Sequence, residues 1–520
     1  MEPQHGNVTR DDVASLIGRL ATALGGAEEL RAARTETVTA TGRRMHPGWG
    51  TDPAKPELSA DFSHTLLQDL VRPRYKLAVK GRTHLVPTEL DYTETGNGSA
   101  GYLDGVDFMF DPRPVSTTVP SWRVATRQRH LDLTSVLRTV HKLMAPGADV
   151  TLEDGSAEGR RQPVLTLREV GRPAVRVHLD EHSLPARITL TEEHPPLGDA
   201  LVEVLFGDFR SVDALVLPHR VDILVNGTVV HEETRSDIRV GTAVADAEFA
   251  VPDATVQDSS AQQSAYTQYS TEWIMTYVYA GVRFYFDLQI APVTAEPVEL
   301  AEGVKIVLGP SHNTLVVEMP DHLVAVEAPM YDEYTHAALA QVKAAFPDKP
   351  LRRVIGTHFH YDHIGGIREF AAEGDITVIV GQATVPFFTE VFRSPHTVDP
   401  DRLQTQPVEV VVQGVTDKLV LPMADGGHLT AHHIASDHSD DMLIVHLSKS
   451  KIVFQSDLWN PTPVMPPPNS GRGRLAVQLY EAIVDLGLDV ETVVGGHSGT
   501  DGKVYAHAAP LSHLRRAAGY

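Results

Sequence analysis

The stretch Thr357-His358-Phe359-His360-Tyr361-Asp362-His363-Ile364-Gly365-Gly366 packs three imidazoles and a carboxylate into six residues, directly after the apolar run Arg353-Val354-Ile355-Gly356. Residues two apart in an extended loop point the same way, so His358 and His360 can bind one ion together. Asp362 and His363 fall where the chain turns into the next helix and can reach a second ion nearby. A lone His-x-His is commonly two ordinary strand residues; this density, closed by two glycines, reads as a metal site.

Working outward, the segment beyond about residue 290 alternates strands with helices. Val304 to Leu308, Thr314 to Glu318 and Leu323 to Glu327 read as strands, and Tyr334 to Ala345 as a helix. Downstream come three further pieces in order. Asp437-His438-Ser439-Asp440-Asp441 precedes Met442-Leu443-Ile444-Val445-His446-Leu447; Lys451 to Phe454 leads into Gln455-Ser456-Asp457; and Val493-Val494-Gly495-Gly496 precedes His497.

With those residues, the C-terminal part (about 295 to 505) resembles the metallo-β-lactamase superfamily. The resemblance implies an αβ/βα four-layer sandwich with its metal site along one edge. It also implies that His358, His360 and His438 hold one ion, that Asp362, His363 and His497 hold the other, and that Asp457 bridges them. Ser456-Asp457 stands where the family usually has Gly-Asp, and Asp437-His438-Ser439 where Gly-His-Thr or Gly-His-Ser is usual. His432 and His433 are rivals of His438 with the wrong spacing to the following strand. His312, His336, His396, His428 and His446 are expected at the surface or behind the ligands.

The implied cofactors are two divalent ions, zinc first and iron second. The implied activity is a hydrolase in which a metal-bridging hydroxide attacks an ester, lactone, thioester or amide, Asp362 both binding a metal and orienting the attacking group. The alternative is a di-iron oxidoreductase on the same ligand set, since imidazole and carboxylate suit both metals. Tyr361 and His433 are weaker candidates for protonating the leaving group, and Asp437, Asp440 or Asp441 for fixing the imidazole tautomers. A Pro-rich loop, Pro461 to Pro468, followed by Arg472 and Arg474, should overhang the site.

Before residue 290 the pattern is different. Residues 9 to 26 read as a helix with Thr9 as cap and Gly25-Gly26 as stop. Short strands follow, including Ala174 to Leu179, Arg187 to Leu190 and Leu201 to Phe206, and Asn226-Gly227 marks a tight hairpin. Leu133, Val136, Leu137, Val140 and Leu143 predict one helix over Leu131 to Leu143. The fold class is α+β overall: an N-terminal α+β domain (1–290) with a curved antiparallel meander, and a catalytic domain (291–520). The N-terminal part resembles, diffusely, the lipoprotein-carrier-like β-domains fused to uncharacterised proteins of this superfamily, on Gly207-Asp208-Phe209-Arg210, Leu217-Pro218 and Phe249-Ala250-Val251-Pro252. That resemblance implies a sheet that holds an apolar ligand or shapes the entrance for a bulky substrate. The aromatic run from Trp273 to Phe286 reads as plain burial, with an interdomain seam, a substrate wall or an oligomer contact as alternatives.

Composition sets outer limits. A formal charge of −23 over 520 residues, with no concentrated basic face, argues against a nucleic-acid partner and leaves a small molecule as the expected one. With 0 cysteines, thiolate ligands and disulfides are excluded. No stretch reaches the ~18 apolar residues of a membrane span, and Met1-Glu2-Pro3-Gln4-His5 lacks a signal-peptide start. The sequence as it stands points to the cytoplasm, and a recloned exported form would read the same; homo-oligomerisation stays open.

Overall fold

The computed structural model describes residues 10–84, 87–107, 113–157, 160–194, 196–241, 243–252, 272–280, 296–309, 311–461, 471–497 and 506–520. The chain divides into two compact units. The first comprises Met1–His46, Glu57–His194 and Asp199–Tyr285, and the second Pro47–Pro56, Pro195–Gly198 and Phe286–Tyr520.

The first unit is built on one 13-stranded antiparallel sheet. Its strands run as two meanders, and the earliest, Thr35–His46, is hydrogen-bonded to both Glu57–Asp69 and the last, Thr228–Gly241. Asn226 and Gly227 both take positive φ (48° and 78°), the geometry that a two-residue hairpin with matching twist requires. The first helix is Arg10–Ala23, ended by Gly25 and Gly26 at φ 115° and 120°; Thr9 lies outside the described residues.

The helix expected over Leu131 to Leu143 is two helices, Ser121–Thr134 and Val136–Leu143. Ser135 breaks the path with extended dihedrals and caps the second helix, its Oγ accepting from the Arg138 amide. Apolar periodicity missed the first helix because Arg123, Arg127 and Arg129 are buried among Trp122, Val124, Leu131 and Leu133 and break the apolar stripe. Arg123 pairs with Glu94 (2.9 Å) and Asp107 (2.8 Å), Arg127 with Glu94 (3.3 Å), and Arg129 with Glu192. The Tyr75 hydroxyl also donates to Glu94 at 2.7 Å. Burial by itself would raise the Glu94 pKa, but Arg127, Arg123 and the Tyr75 bond outweigh it and hold the carboxyl at about 2.

The π-helical segment Glu272–Ala280 closes over the same helix. Tyr277 lies under the Arg127 guanidinium (3.9 Å) and Trp273 under that of Arg129 (5.3 Å). Trp273, Tyr277 and Tyr279 are buried inside the first unit, as plain burial predicts. The later aromatics of that run lie outside the described residues.

The second unit has a 7-stranded and a 6-stranded sheet. The first begins antiparallel and turns parallel from Leu323–Val326 through Leu351–Ile355 and Thr377–Gly381 to Val411–Val415. One core cluster takes Ile306, Leu315 and Ile355 from this sheet and Leu443, Phe454 and Val494 from the other, so the sheets pack face to face. The outer face of the first sheet is covered by helices Asp332–Ala345 and Val385–Arg393, and that of the second by Gly471–Asp485 and Leu511–Ala517. The layers therefore run helix, sheet, sheet, helix. No helix of the described residues is long and apolar enough to cross a membrane.

The Glu94 cluster gives a stability prediction. Glu94→Ala leaves Arg123 and Arg127 buried with too little counter-charge, and should cost about 3–5 kcal/mol in the first-unit transition followed by circular dichroism in urea. Because the folded carboxyl is depressed from 4.5 to about 2, its contribution is complete above pH 4.5 and is lost as pH falls towards 2. The variant should show a shallower acid loss over that window.

Candidate metal centre

Strand Leu351–Ile355 ends at the opening between the sheets and delivers Thr357 to His360 as an extended loop, before the short helix Tyr361–Ile364. His358 and His360 point to one side, ring centroids 4.5 Å apart. The two glycines that follow are needed for close approach. A Cβ on Gly365 would meet the Met330 carbonyl at 1.9 Å, and one on Gly366 would meet Thr335 Oγ1 at 1.9 Å.

Three other strands complete the group. His438 precedes Leu443–Leu447, Asp457 follows Ile452–Gln455 and His497 follows Thr492–Gly495. All seven residues singled out in the sequence converge in two adjoining sets of donor atoms: His358, His360, His438 and Asp457, and Asp362, His363, His497 and His312. Asp457 sits between them. Its Oδ2 is 2.9 Å from His363 Nε2, 3.0 Å from His438 Nε2 and 3.4 Å from His358 Nε2, while its Oδ1 meets His497 Nε2. Its backbone is held at φ 63°, a left-handed conformation unusual for aspartate and typical of functional turns.

Of the two places expected for His312, the surface or behind the ligands, the structure has the second: it is buried, its Nε2 is 3.3 Å from Asp362 Oδ2, and it forms an isolated bridge with His497. Nothing in its neighbourhood, Ser311-His312-Asn313, distinguishes it from any strand histidine. Of the other histidines, His396 and His446 are buried away from the cluster, and His428 is exposed. His432 and His433 join neither set, and His433 Nε2 lies 3.1 Å from the Asp440 carbonyl.

The groups that orient the imidazoles are also not those expected. Asp437 pairs with Arg474 (3.0 Å), Asp440 is exposed and Asp441 bonds to Thr384. His363 Nδ1 instead meets Ser456 Oγ at 2.8 Å and Glu327 Oε1 at 3.1 Å, and Thr357 Oγ1 donates to Glu327 at 2.7 Å. Glu327 is fully buried at φ 70°. His360 Nε2 is held by the Gly50 carbonyl at 2.8 Å, and Trp49 stacks on its ring at 5.6 Å. Trp49 and Gly50 belong to Pro47–Pro56, the segment that interrupts the N-terminal sheet in sequence but clusters with the second unit. No spacing rule could find a backbone carbonyl 310 residues away. Residues 462–470, which hold most of the Pro-rich loop, lie outside the described residues; Arg474 opens the helix beyond them and is paired with Asp437.

Electrostatics agree with a cation site. Burial first, then His363, pushes the His358 pKa down to about 3, and burial with His497 lowers His312 to about 4, so both rings are neutral lone-pair donors. Burial would raise both site aspartates; His363 outweighs it, and both stay well below the carboxylate range. Three buried atoms aimed at the cluster lack hydrogen bonds: His360 Nδ1, Asp362 Oδ1 and His363 Nε2, the last close to Asp457 but out of hydrogen-bond alignment. Such atoms are costly in a dry site without a ligand. His358 and His312 as neutral rings beside ionised carboxylates are donor chemistry suited to divalent ions. At His363 burial would lower the pKa, but Asp457, Glu327 and Asp362 outweigh it and raise it well above the imidazole range, so the chain itself places positive charge where a bound cation would take over.

The family comparison is consistent with this geometry. The family model described as the metallo-beta-lactamase superfamily matches residues 334–497. The second unit carries a metallo-beta-lactamase superfamily domain. Among solved structures, the chain is similar to a B3 metallo-beta-lactamase with an active-site glutamic acid (18% identity, 44% of this chain and 90% of that chain, TM-score 0.32). It is also similar to a metallo-beta-lactamase from Hirschia baltica (20%, 44% and 96%, 0.32) and a sec-alkylsulfatase from Pseudomonas sp. (16%, 43% and 41%, 0.31). No curated protein matches the chain.

Because Glu327 holds the His363 ring from behind, Glu327→Gln is expected to weaken retention of a divalent ion by about 10–100-fold in chelator competition. Its circular dichroism spectrum should stay that of the parent. Unchanged retention would mean that the Ser456 bond alone orients the ring.

Proposed function

We propose that this chain is a dinuclear metal-dependent hydrolase that uses zinc and acts on an ester, lactone, thioester or amide. The observation that carries the reading is the single carboxylate of Asp457 set between two groups of imidazoles, with Oδ2 towards His358, His363 and His438 and Oδ1 towards His497. In this reading His358, His360 and His438 hold one ion, Asp362, His363 and His497 the other, and Asp457 joins them. Bound there, the ions would supply Lewis acidity towards the scissile group and acidify water.

The chain's own residues do the rest. Asp362 offers Oδ1, buried and without a hydrogen bond, to orient the attacking water, while His312 restrains its Oδ2. The Gly50 carbonyl and Glu327 fix which ring nitrogens of His360 and His363 face inward. The same reading divides the chain into an N-terminal domain (1–290) and a catalytic domain (291–520), a division supported by the contact units that change at Tyr285 and Phe286.

The test is elemental analysis of protein purified without a chelating tag, followed by a panel of esters, lactones, thioesters and amides. About two zinc ions per chain and turnover of one class are expected, with Asp457→Ala losing both metal and at least ~10²-fold in kcat/KM. Two irons with a near-ultraviolet charge-transfer band would overturn the hydrolase reading in favour of redox chemistry.

A further inference from the structure

Inside the first unit, far in sequence from the metal ligands, a cavity of about 30 Å³ is lined by apolar side chains such as Leu66 and Val79 and by Arg44, His64, His130 and Glu233. Three guanidinium groups border it. Arg127 is neutralised by Glu94 (3.3 Å) and Arg235 by Glu233 (2.8 Å). Arg44 is different. Only 7% of it is exposed, its Nε makes no hydrogen bond, and the nearest counter-charge acting on it, Glu233, is engaged by Arg235 at 2.8 Å and reaches Arg44 only through space. Its guanidinium rests over the Phe62 ring at 3.8 Å, which offsets little of the charge.

A buried, unpaired cation is among the most costly arrangements a fold can hold, and an anion is the direct remedy. The neighbouring histidines favour the same occupant. Burial holds His64 at about 4 and His130 well below the usual imidazole range, so neither adds a competing positive charge. The buried His130 Nδ1 also lacks a hydrogen-bond partner.

We propose that this cavity binds a one-carbon monocarboxylate of formate size, its two oxygens on the Arg44 guanidinium and its C–H edge towards Leu66 and Val79. The planar fork of arginine matches a carboxylate. A positive charge without a direct carboxylate partner calls for a monoanion, and the volume, about that of two waters, suits formate rather than an acyl chain. The site is independent of the hydrolase reading.

The test is calorimetric titration of the full chain with sodium formate in a zwitterionic buffer, with sodium chloride at equal ionic strength as reference. Saturable binding at about one site per chain is expected, at least tenfold weaker in Arg44→Met, which removes the cation, and in Leu66→Trp, which fills the cavity. Binding should be the same before and after metal removal. No saturable binding, equal binding of chloride, undiminished binding in either variant, or binding that disappears with the metal would each overturn the proposal. The wild-type titration with and without metal decides the matter if neither variant folds.

Discussion

The second unit is organised around one carboxylate. Asp457 carries a negative charge in a place where water is scarce, and the imidazoles of His358, His363, His438 and His497 surround it on both oxygens. Carboxylates and imidazole lone pairs crowded this closely call for positive charge; the chain meets part of that demand by raising the His363 pKa well above the imidazole range, and a divalent cation would meet the rest. That requirement explains why the backbone is allowed left-handed φ at Asp457, at Glu327 and at Met330, all next to the cluster. It also explains why glycine stands at 365 and 366, where the metal loop must run against residues 330 to 335 with no room for a Cβ.

How much of this could be read from the sequence depends on how each residue is placed. The candidate ligands in His358-Phe359-His360-Tyr361-Asp362-His363 are legible because two-residue spacing in an extended loop and a turn into a helix determine their directions locally. His438, Asp457 and His497 are legible by their order relative to strands, with the family resemblance supplying the template. His312, Glu327 and Gly50 are not. A single histidine in a strand, a glutamate at a strand end and a backbone carbonyl carry no spacing signal, and each gains its role only when the sheets close. The acidic residues that did look promising, Asp437 and Asp440, were attractive because they flank His438 in sequence. Loop direction sends them instead towards Arg474 and solvent.

The first unit teaches the complementary lesson. Its meander, its hairpin at Asn226-Gly227 and its opening helix follow from alternation and turn chemistry. The helix Ser121–Thr134 escaped because hydrophobic periodicity assumes that what is buried is apolar. Here Arg123, Arg127 and Arg129 interrupt the buried apolar residues, and they are tolerated because Glu94 and Glu192 on the strands and Asp107 just after one await them. A pattern of that kind exists only in the pairing of distant residues, so no window along the chain contains it.

The two units thus solve the burial of charge in opposite ways. In the first, Arg123, Arg127, Arg129 and Arg235 are matched by carboxylates of the chain itself, which makes that part of the interior rigid and specific, and Arg44 is the exception. In the second, the donors are gathered without a chain partner for every atom, leaving His360 Nδ1, Asp362 Oδ1 and His363 Nε2 open. An interior that satisfies itself has no affinity left for a ligand, whereas one that remains short of a charge must recruit it. By that criterion the His/Asp cluster is built to recruit a cation and the buried Arg44 an anion, and both features stand apart from the surrounding ion pairs for the same physical reason.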